Sequence, residues 1–240
     1  FNGEIYGYRE LKKELSDYPF QSNTDTEVIL SLFQKYDAEV PKYLNGMFAF
    51  AIWNEEKQQL FCARDRFGEK PFYYAVGKNG EFIFASEIKA ILASGLVDAE
   101  LNDEAVYHFL RHMYVDSQQS IYKHIKVLPP AHQLIYHNGN IEISQYWNFP
   151  NNELEISEEE AVVKFKNLVE RSVEKQLVAD VKVGAFLSGG LDSGTLVALS
   201  SQKNQNLITL GFQYEGDWDE MPDARSIAEK YKTAHKEVAL

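Results

Sequence analysis

A glycine-rich hexapeptide set between an apolar run and a helical pattern limits the second part of the chain to one kind of architecture. Val181 to Leu187 reads as a strand, Ser188-Gly189-Gly190-Leu191-Asp192-Ser193 as a turn and Gly194 to Lys203 as a helix. A strand at Leu207 to Phe212, a helix at Asp223 to Lys230 and a strand-like TAHKEVAL follow. Strands separated by helices predict βαβ units and a mostly parallel sheet. The two glycines permit backbone angles that a Cβ forbids, and their N–H groups, with the serine hydroxyls and the helix N-terminus, predict a nest for phosphate or pyrophosphate. The competing reading is a plain strand-to-helix turn in which Ser188 and Asp192 cap the helix. The pattern lacks the Gly-Lys-Ser/Thr ending of a Walker loop and the spaced glycines of a dinucleotide fingerprint.

The first part of the chain is patterned differently. Thr24 and Glu27 have capping-box spacing ahead of Val28, Ile29, Leu32 and Phe33, which predicts a helix. Met47 to Trp53 reads as a strand buried on both faces, with Leu60 to Arg64 as its hairpin partner. Pro71 to Val76 and Phe82 to Ala85 predict a second hairpin turning at Asn79-Gly80, after which Ser86 is read as the cap of a helix over Glu87 to Ala93. A helix near Asp103 to His112 and a hairpin turning at Asn138-Gly139 complete this part. Phe149 to Ile156 is polar and irregular and reads as a linker, which predicts domains over residues 1–150 and 151–240. Beyond it, Ser157 and Glu160 form another capping box, and Val162, Phe165, Val169, Val173 and Leu177 trace one apolar helix face.

Acidic residues outnumber basic ones 36 to 24, for a net charge of −12. That balance argues against a surface that tracks a nucleic-acid backbone. The longest apolar run, Met47 to Trp53, is far below the roughly 20 residues of a membrane-spanning helix, so no membrane association is expected. One cysteine, Cys62, excludes an internal disulfide framework and suits a reducing cytoplasm. It lies in LFCAR, where a small buried thiol is the ordinary occupant. His108 and His112 are one helical turn apart but lack the companions of a zinc site. Tyr73, Tyr74, Phe82 and Phe84 read as hairpin core, and Arg64, Asp65 and Lys70 as charges gathered around a turn.

SGGLDS resembles the pyrophosphate loop of the ATP pyrophosphatases, which cleave ATP between its α and β phosphates to adenylate a substrate. Asn2-Gly3-Glu4 followed by Thr24-Asp25-Thr26-Glu27 resembles the glutamine pocket of an N-terminal-nucleophile glutaminase. GMFAFAIW, ARDRFGEKPFYY, FASEIKAIL and LPPAHQLIY followed by YW continue the likeness in order. Together they are similar to the class II glutamine-dependent amidotransferases of the asparagine synthetase type. The resemblance implies an α+β glutaminase sandwich followed by an α/β parallel-sheet ATP-pyrophosphatase domain, each represented in part.

Carried over residue by residue, the resemblance implies that Asn2 and Gly3 supply an oxyanion hole and that Glu4 and Asp25 hold the polar head of glutamine. Taken alone, Asn2-Gly3 also suits a turn, and Asp25 suits the start of a helix. In the second part the resemblance implies ATP at Leu187, Ser188, Gly189, Gly190, Leu191, Asp192, Ser193 and Leu210, with the two leucines offering backbone groups to adenine. Asp192 is expected to act through Mg2+. The family nucleophile is an N-terminal cysteine, and its absence at Phe1 implies that it lies upstream in a longer protein. The implied substrates are glutamine, aspartate and ATP. Two other readings stay open: a relative that amidates another carboxylate, of a sugar or a natural product, and a non-catalytic remnant.

Overall fold

The computed structural model describes residues 1–115, 119–213 and 220–239. The chain divides into a unit of Phe1–Asn151 and a unit of Asn152–Leu240. Among the described residues no helix is long and apolar enough to cross a membrane.

In chain order the first unit contains β1 (Asn2–Ile5), α1 (Tyr8–Glu14), α2 (Thr26–Tyr36), α3 (Val40–Tyr43), β2 (Gly46–Asn54), β3 (Gln59–Arg64), β4 (Tyr73–Val76), β5 (Phe82–Ala85), α4 (Ile88–Ala93), α5 (Asp103–His112), β6 (Ile125–Val127), β7 (His132–His137) and β8 (Asn140–Gln145). Five strands form one antiparallel sheet in the order β1-β2-β3-β7-β8, and three form another in the order β5-β4-β6.

The alternation of side chains along β2 explains how these sheets stack. Phe48 and Phe50 point to one face, where they join Ile5, Val28, Ile29, Leu32 and Phe61 beneath α1 and α2. Ala49, with Cys62 and Leu134, points to the other, against Phe72 and Tyr74. The outward residues of β4 and β5, Ala75 and Ile83, meet Ile88 and Ile91 of α4. The result is a helix–sheet–sheet–helix sandwich. Its inner seam is the contact between the two sheets.

Several local expectations change. Thr24 and Glu27 make no capping box: Asp25 is the N-cap residue, and the Glu27 carboxylate accepts from the backbone N–H groups of Gln21 and Ser22 at 2.7 Å each. Asn138 and Gly139 both take positive φ, as a two-residue hairpin turn requires. At Asn79-Gly80 only Gly80 does, because Gly77 N–H bonds to Glu81 O and makes the loop longer. Trp53 and Phe84 are substantially exposed, so neither the run to Trp53 nor the second hairpin is apolar core throughout.

The second unit contains α6 (Glu158–Gln176), β9 (Gly184–Phe186), α7 (Leu191–Lys203), β10 (Ile208–Gln213), α8 (Met221–Tyr231) and β11 (Ala234–Ala239). Its strands are parallel in the order β11-β10-β9. Leu187, Val197, Leu207, Met221, Ala224 and Ala228 form the core between the sheet and the helices α7 and α8. Ser157 caps α6 as its spacing predicts, accepting from Glu160 N–H at 3.2 Å. The apolar face predicted for α6 is covered only near Val173, and Val162 and Phe165 are exposed. The strand expected from Val181 shortens to β9, since Val181 and Lys182 lie outside the ladder.

Candidate functional site

The first candidate site lies on β1, an edge strand. Gly3 takes φ 148°, and a Cβ there would fall 2.0 Å from the carbonyl oxygen of Met47. No side chain fits, so β1 approaches β2 more closely than an ordinary strand could. Asn2 and Gly3 are thus strand residues, and the turn reading is set aside.

The hydrogen bonds around β1 fix where its free donors point. Tyr6 N–H donates inward to Asn45 O at 2.7 Å, whereas Ile5 N–H donates outward to Asp25 Oδ2 at 2.9 Å. Alternation places the Gly3 N–H on the same outer edge as that of Ile5. Phe48, opposite Gly3, confirms the phase, because its N–H and C=O are taken by Asp65 on the far side. An unpaired backbone donor therefore shares an edge with the carboxylate of Asp25. Thr26 Oγ1, at 3.4 Å, contacts the other carboxylate oxygen.

The side chain of Asn2 points toward the seam, as does its partner Ala49. Its Nδ2 donates to Ser86 Oγ at 3.3 Å, bridging the two sheets across 84 residues of sequence. Both residues line a cavity of about 270 Å³ with Phe1, Ala49, Ala51, Phe72 and Phe84. Ser86 does not cap α4: the N-cap is Glu87, in extended conformation and with no side-chain cap bond. Glu4 is exposed on the same face of β1 as Asn2. The Tyr6 hydroxyl is pushed above its ordinary pKa by burial, then by the carboxylates of Glu69 and Glu4. Glu69 belongs to the loop after β3.

That loop is shaped by two neighbouring charged residues, buried Asp65 and half-buried Arg64, which bond to its backbone. Asp65 is fully enclosed and accepts from the backbone N–H groups of Phe67, Glu69 and Lys70 at 3.0 Å and of Phe48 at 3.3 Å. Arg64 donates to the carbonyls of Lys70 and Gly68 at 2.7 Å and of Leu128 at 2.8 Å. Arg64 and Asp65 thus hold the backbone of this turn from its two sides. Lys70 enters through its backbone.

Cys62 is wholly buried, and burial pushes its thiol far above the ordinary range. It cannot serve as a nucleophile in this state.

The second candidate site is the hexapeptide. Helix α7 begins at Leu191, earlier than expected, so Leu191, Asp192 and Ser193 form its first turn and neither Ser188 nor Asp192 caps it. The N-cap is Gly190, with no side-chain cap bond, which leaves first-turn N–H groups for an anion. Gly189 takes φ 89°, and a Cβ there would lie 2.7 Å from Glu220 O. The hydroxyls fold inward: Ser188 Oγ and Ser193 Oγ are 3.1 Å apart, and Ser193 Oγ donates to Gly190 O at 3.2 Å.

Leu187, Ser188 and Leu210 line a cavity of about 260 Å³ with Phe186, Phe212, Glu220 and Met221. Leu187 N–H donates to Leu210 O at 2.8 Å. That N–H and that carbonyl satisfy each other, and the two leucines also give the cavity side-chain surface. Among the described residues no cluster of three or more His, Cys, Asp or Glu side chains forms a metal nest. A magnesium ion carried by a polyphosphate needs only one or two protein carboxylates, and exposed Asp192 in the first turn of α7 fits that requirement.

Fold and site together define a chain with an outward backbone donor beside a carboxylate on a double-sheet sandwich and a glycine-rich strand-to-helix loop on a parallel sheet. The family profile described as Glutamine amidotransferase domain matches residues 1–147, and the one described as Asparagine synthase matches residues 164–240. The chain belongs to the glutamine amidotransferase family, and its second part is similar to asparagine synthase. It is 38% identical to asparagine synthetase [glutamine-hydrolyzing] 3 of Bacillus subtilis, over 84% of this chain and 33% of that protein. It is 36% identical to asparagine synthetase [glutamine-hydrolyzing] 1 of the same organism, over 90% of this chain and 35% of that protein. The chain spans a third to a half of the length of the curated relatives it matches. Among solved structures, glutamine phosphoribosylpyrophosphate amidotransferase from B. subtilis covers 99% of this chain and 59% of its own length, with TM-score 0.47 and 14% identity.

Proposed function

We propose that the protein containing this chain makes asparagine from aspartate, with glutamine as nitrogen donor and ATP as activator. The observation that carries the reading is the edge of β1, where the outward Gly3 N–H, the Asn2 carboxamide and the Asp25 carboxylate stand together. In this proposal the glutamine amide oxygen lies between the Asn2 Nδ2–H and the Gly3 N–H. Negative charge grows on that oxygen only as the tetrahedral intermediate forms, so these donors act on the transition state. Asp25, with Glu4, holds the α-ammonium end of glutamine. Cys62 is enclosed, so the attacking thiol is one that these 240 residues do not supply.

In the second unit the first-turn N–H groups of α7 hold the pyrophosphate part of ATP, and the Ser188 and Ser193 hydroxyls join them by rotating out of their mutual contact. Leu187, Leu210 and Met221 give the nucleoside an apolar wall. Asp192 would hold Mg2+, which when bound neutralises phosphate charge. The aspartate side-chain carboxylate attacks the α-phosphate and pyrophosphate leaves; ammonia then displaces AMP to give asparagine. The cytoplasm is the compartment proposed for this reaction. The test is to supply the full-length protein with ATP, aspartate and glutamine labelled with 15N in its side-chain amide. The proposal expects 15N in the side-chain amide of asparagine, with AMP and pyrophosphate in equal amounts. Label confined to free ammonia, or AMP formed without asparagine, would contradict it.

A further inference from the structure

We infer that Ser86 is a positioning residue for the amide chemistry of the first site, holding the Asn2 carboxamide so that one of its N–H bonds faces the reacting oxygen; this rests on the functional reading just given. The sequence assigns Ser86 to a helix cap, but Glu87 is the N-cap of α4 and takes no side-chain cap bond. The Ser86 hydroxyl is thereby left at the exposed rim of the seam, where it accepts from Asn2 Nδ2 at 3.3 Å.

Asn2 needs such a partner. The terminal torsion of an asparagine is broad and roughly two-fold, so an unrestrained carboxamide presents its oxygen as readily as its nitrogen. An oxygen aimed at a developing oxyanion would repel it. Asn2 also lies on an edge strand, with a neighbour on one side only. Engaging one Nδ2–H with Ser86 fixes the plane of the amide and leaves the second N–H a single direction.

Ser86 is well placed to impose that plane. It directly follows β5, where Ala85 pairs with Tyr73, and it precedes α4, whose Ile88 and Ile91 are packed under the second sheet. Asn2 is held by its register with Ala49, and the close approach at Gly3 locks β1 onto β2. Each end of the bond is thus anchored in a different sheet. Preorganised donors of this kind act without reorganising during the reaction.

The test is steady-state glutamine hydrolysis by the full-length protein in a double-mutant cycle. Ser86→Ala is expected to lower kcat about tenfold, with KM for glutamine within about twofold, because aim is lost in the transition state and binding is not. Ser86→Thr, which keeps the hydroxyl, should recover kcat to within about threefold. In an Asn2→Ala background, Ser86→Ala should cost nothing further. An equal loss in both backgrounds, or a rise in KM at constant kcat, overturns the positioning role. A wild-type protein that hydrolyses no glutamine overturns the reading of the site and this inference with it. A wild type that hydrolyses glutamine while Ser86→Ala is undiminished overturns the inference alone. Should Ser86→Ala not fold, 15N relaxation of the Asn2 carboxamide in the wild type decides: a rigid group is expected, and a freely averaging one refutes the clamp.

Discussion

Replacing Asp65 by asparagine removes the charge at the centre of the first unit while keeping the shape of the side chain. Its two oxygens divide the work: Oδ1 accepts from Phe67 and Glu69, and Oδ2 from Lys70 and Phe48. An asparagine can keep one oxygen with its two donors, but its NH2 group then faces two further N–H groups that have no other acceptor. Hydrogen bonds to a charged group contribute about 1.5–3 kcal/mol each, so losing two costs about 3–6 kcal/mol. That is comparable to the roughly 5–15 kcal/mol stability of a whole domain. At about 2–4 °C per kcal/mol for a unit of this size, the midpoint should fall by on the order of 10 °C. Thermal unfolding at neutral pH, followed by near-ultraviolet circular dichroism, measures it. Because Phe48 lies opposite Gly3, glutamine binding should weaken before the unit unfolds. A midpoint within about 3 °C of wild type would refute the claim that this carboxylate organises the loop and the strand behind the site.

Further outcomes follow from the same geometry. Cys62 should resist thiol reagents in the folded protein and react fully in denaturant, and rapid labelling under native conditions would contradict its enclosure. Glu27 has its pKa lowered, first by the Ser22 hydroxyl and then by the Gln21 N–H. A depressed carboxylate stabilises the fold fully above its unfolded pKa and loses that contribution as pH falls through the folded value. Protection of the Gln21 and Ser22 amides from hydrogen exchange should therefore be high at neutral pH and disappear below the usual carboxylate range, with Glu27→Gln weakened already at neutral pH. Protection that persists in acid would oppose this. Gly189→Ala should abolish ATP binding, since its Cβ would lie 2.7 Å from Glu220 O at a φ of 89°. Calorimetric titration that finds ATP affinity within threefold of wild type would count against the loop as the phosphate site.

What the sequence revealed was set by how local each cause is. Asn138-Gly139 forms its hairpin because both residues themselves tolerate positive φ, and Ser157 caps α6 because its acceptor and donor are three residues apart. Thr24 and Glu27 have the same spacing yet fail, because the N–H groups of Gln21 and Ser22 compete for the carboxylate. The hexapeptide was legible as a strand-to-helix turn, but the start of α7 was placed late because Leu191-Asp192-Ser193 carries no apolar periodicity. Asn2 and Gly3 were legible only through resemblance to a family. Their partners were not legible, since the bond to Ser86 and the role of Phe48 depend on how two sheets stack.

The most direct test of the whole account is aspartate-dependent exchange of labelled pyrophosphate into ATP by the full-length protein. The account predicts exchange that requires aspartate, needs neither glutamine nor ammonia, and disappears with Gly189→Ala. Exchange that proceeds equally without aspartate, or none from a folded protein with ATP bound, would contradict it.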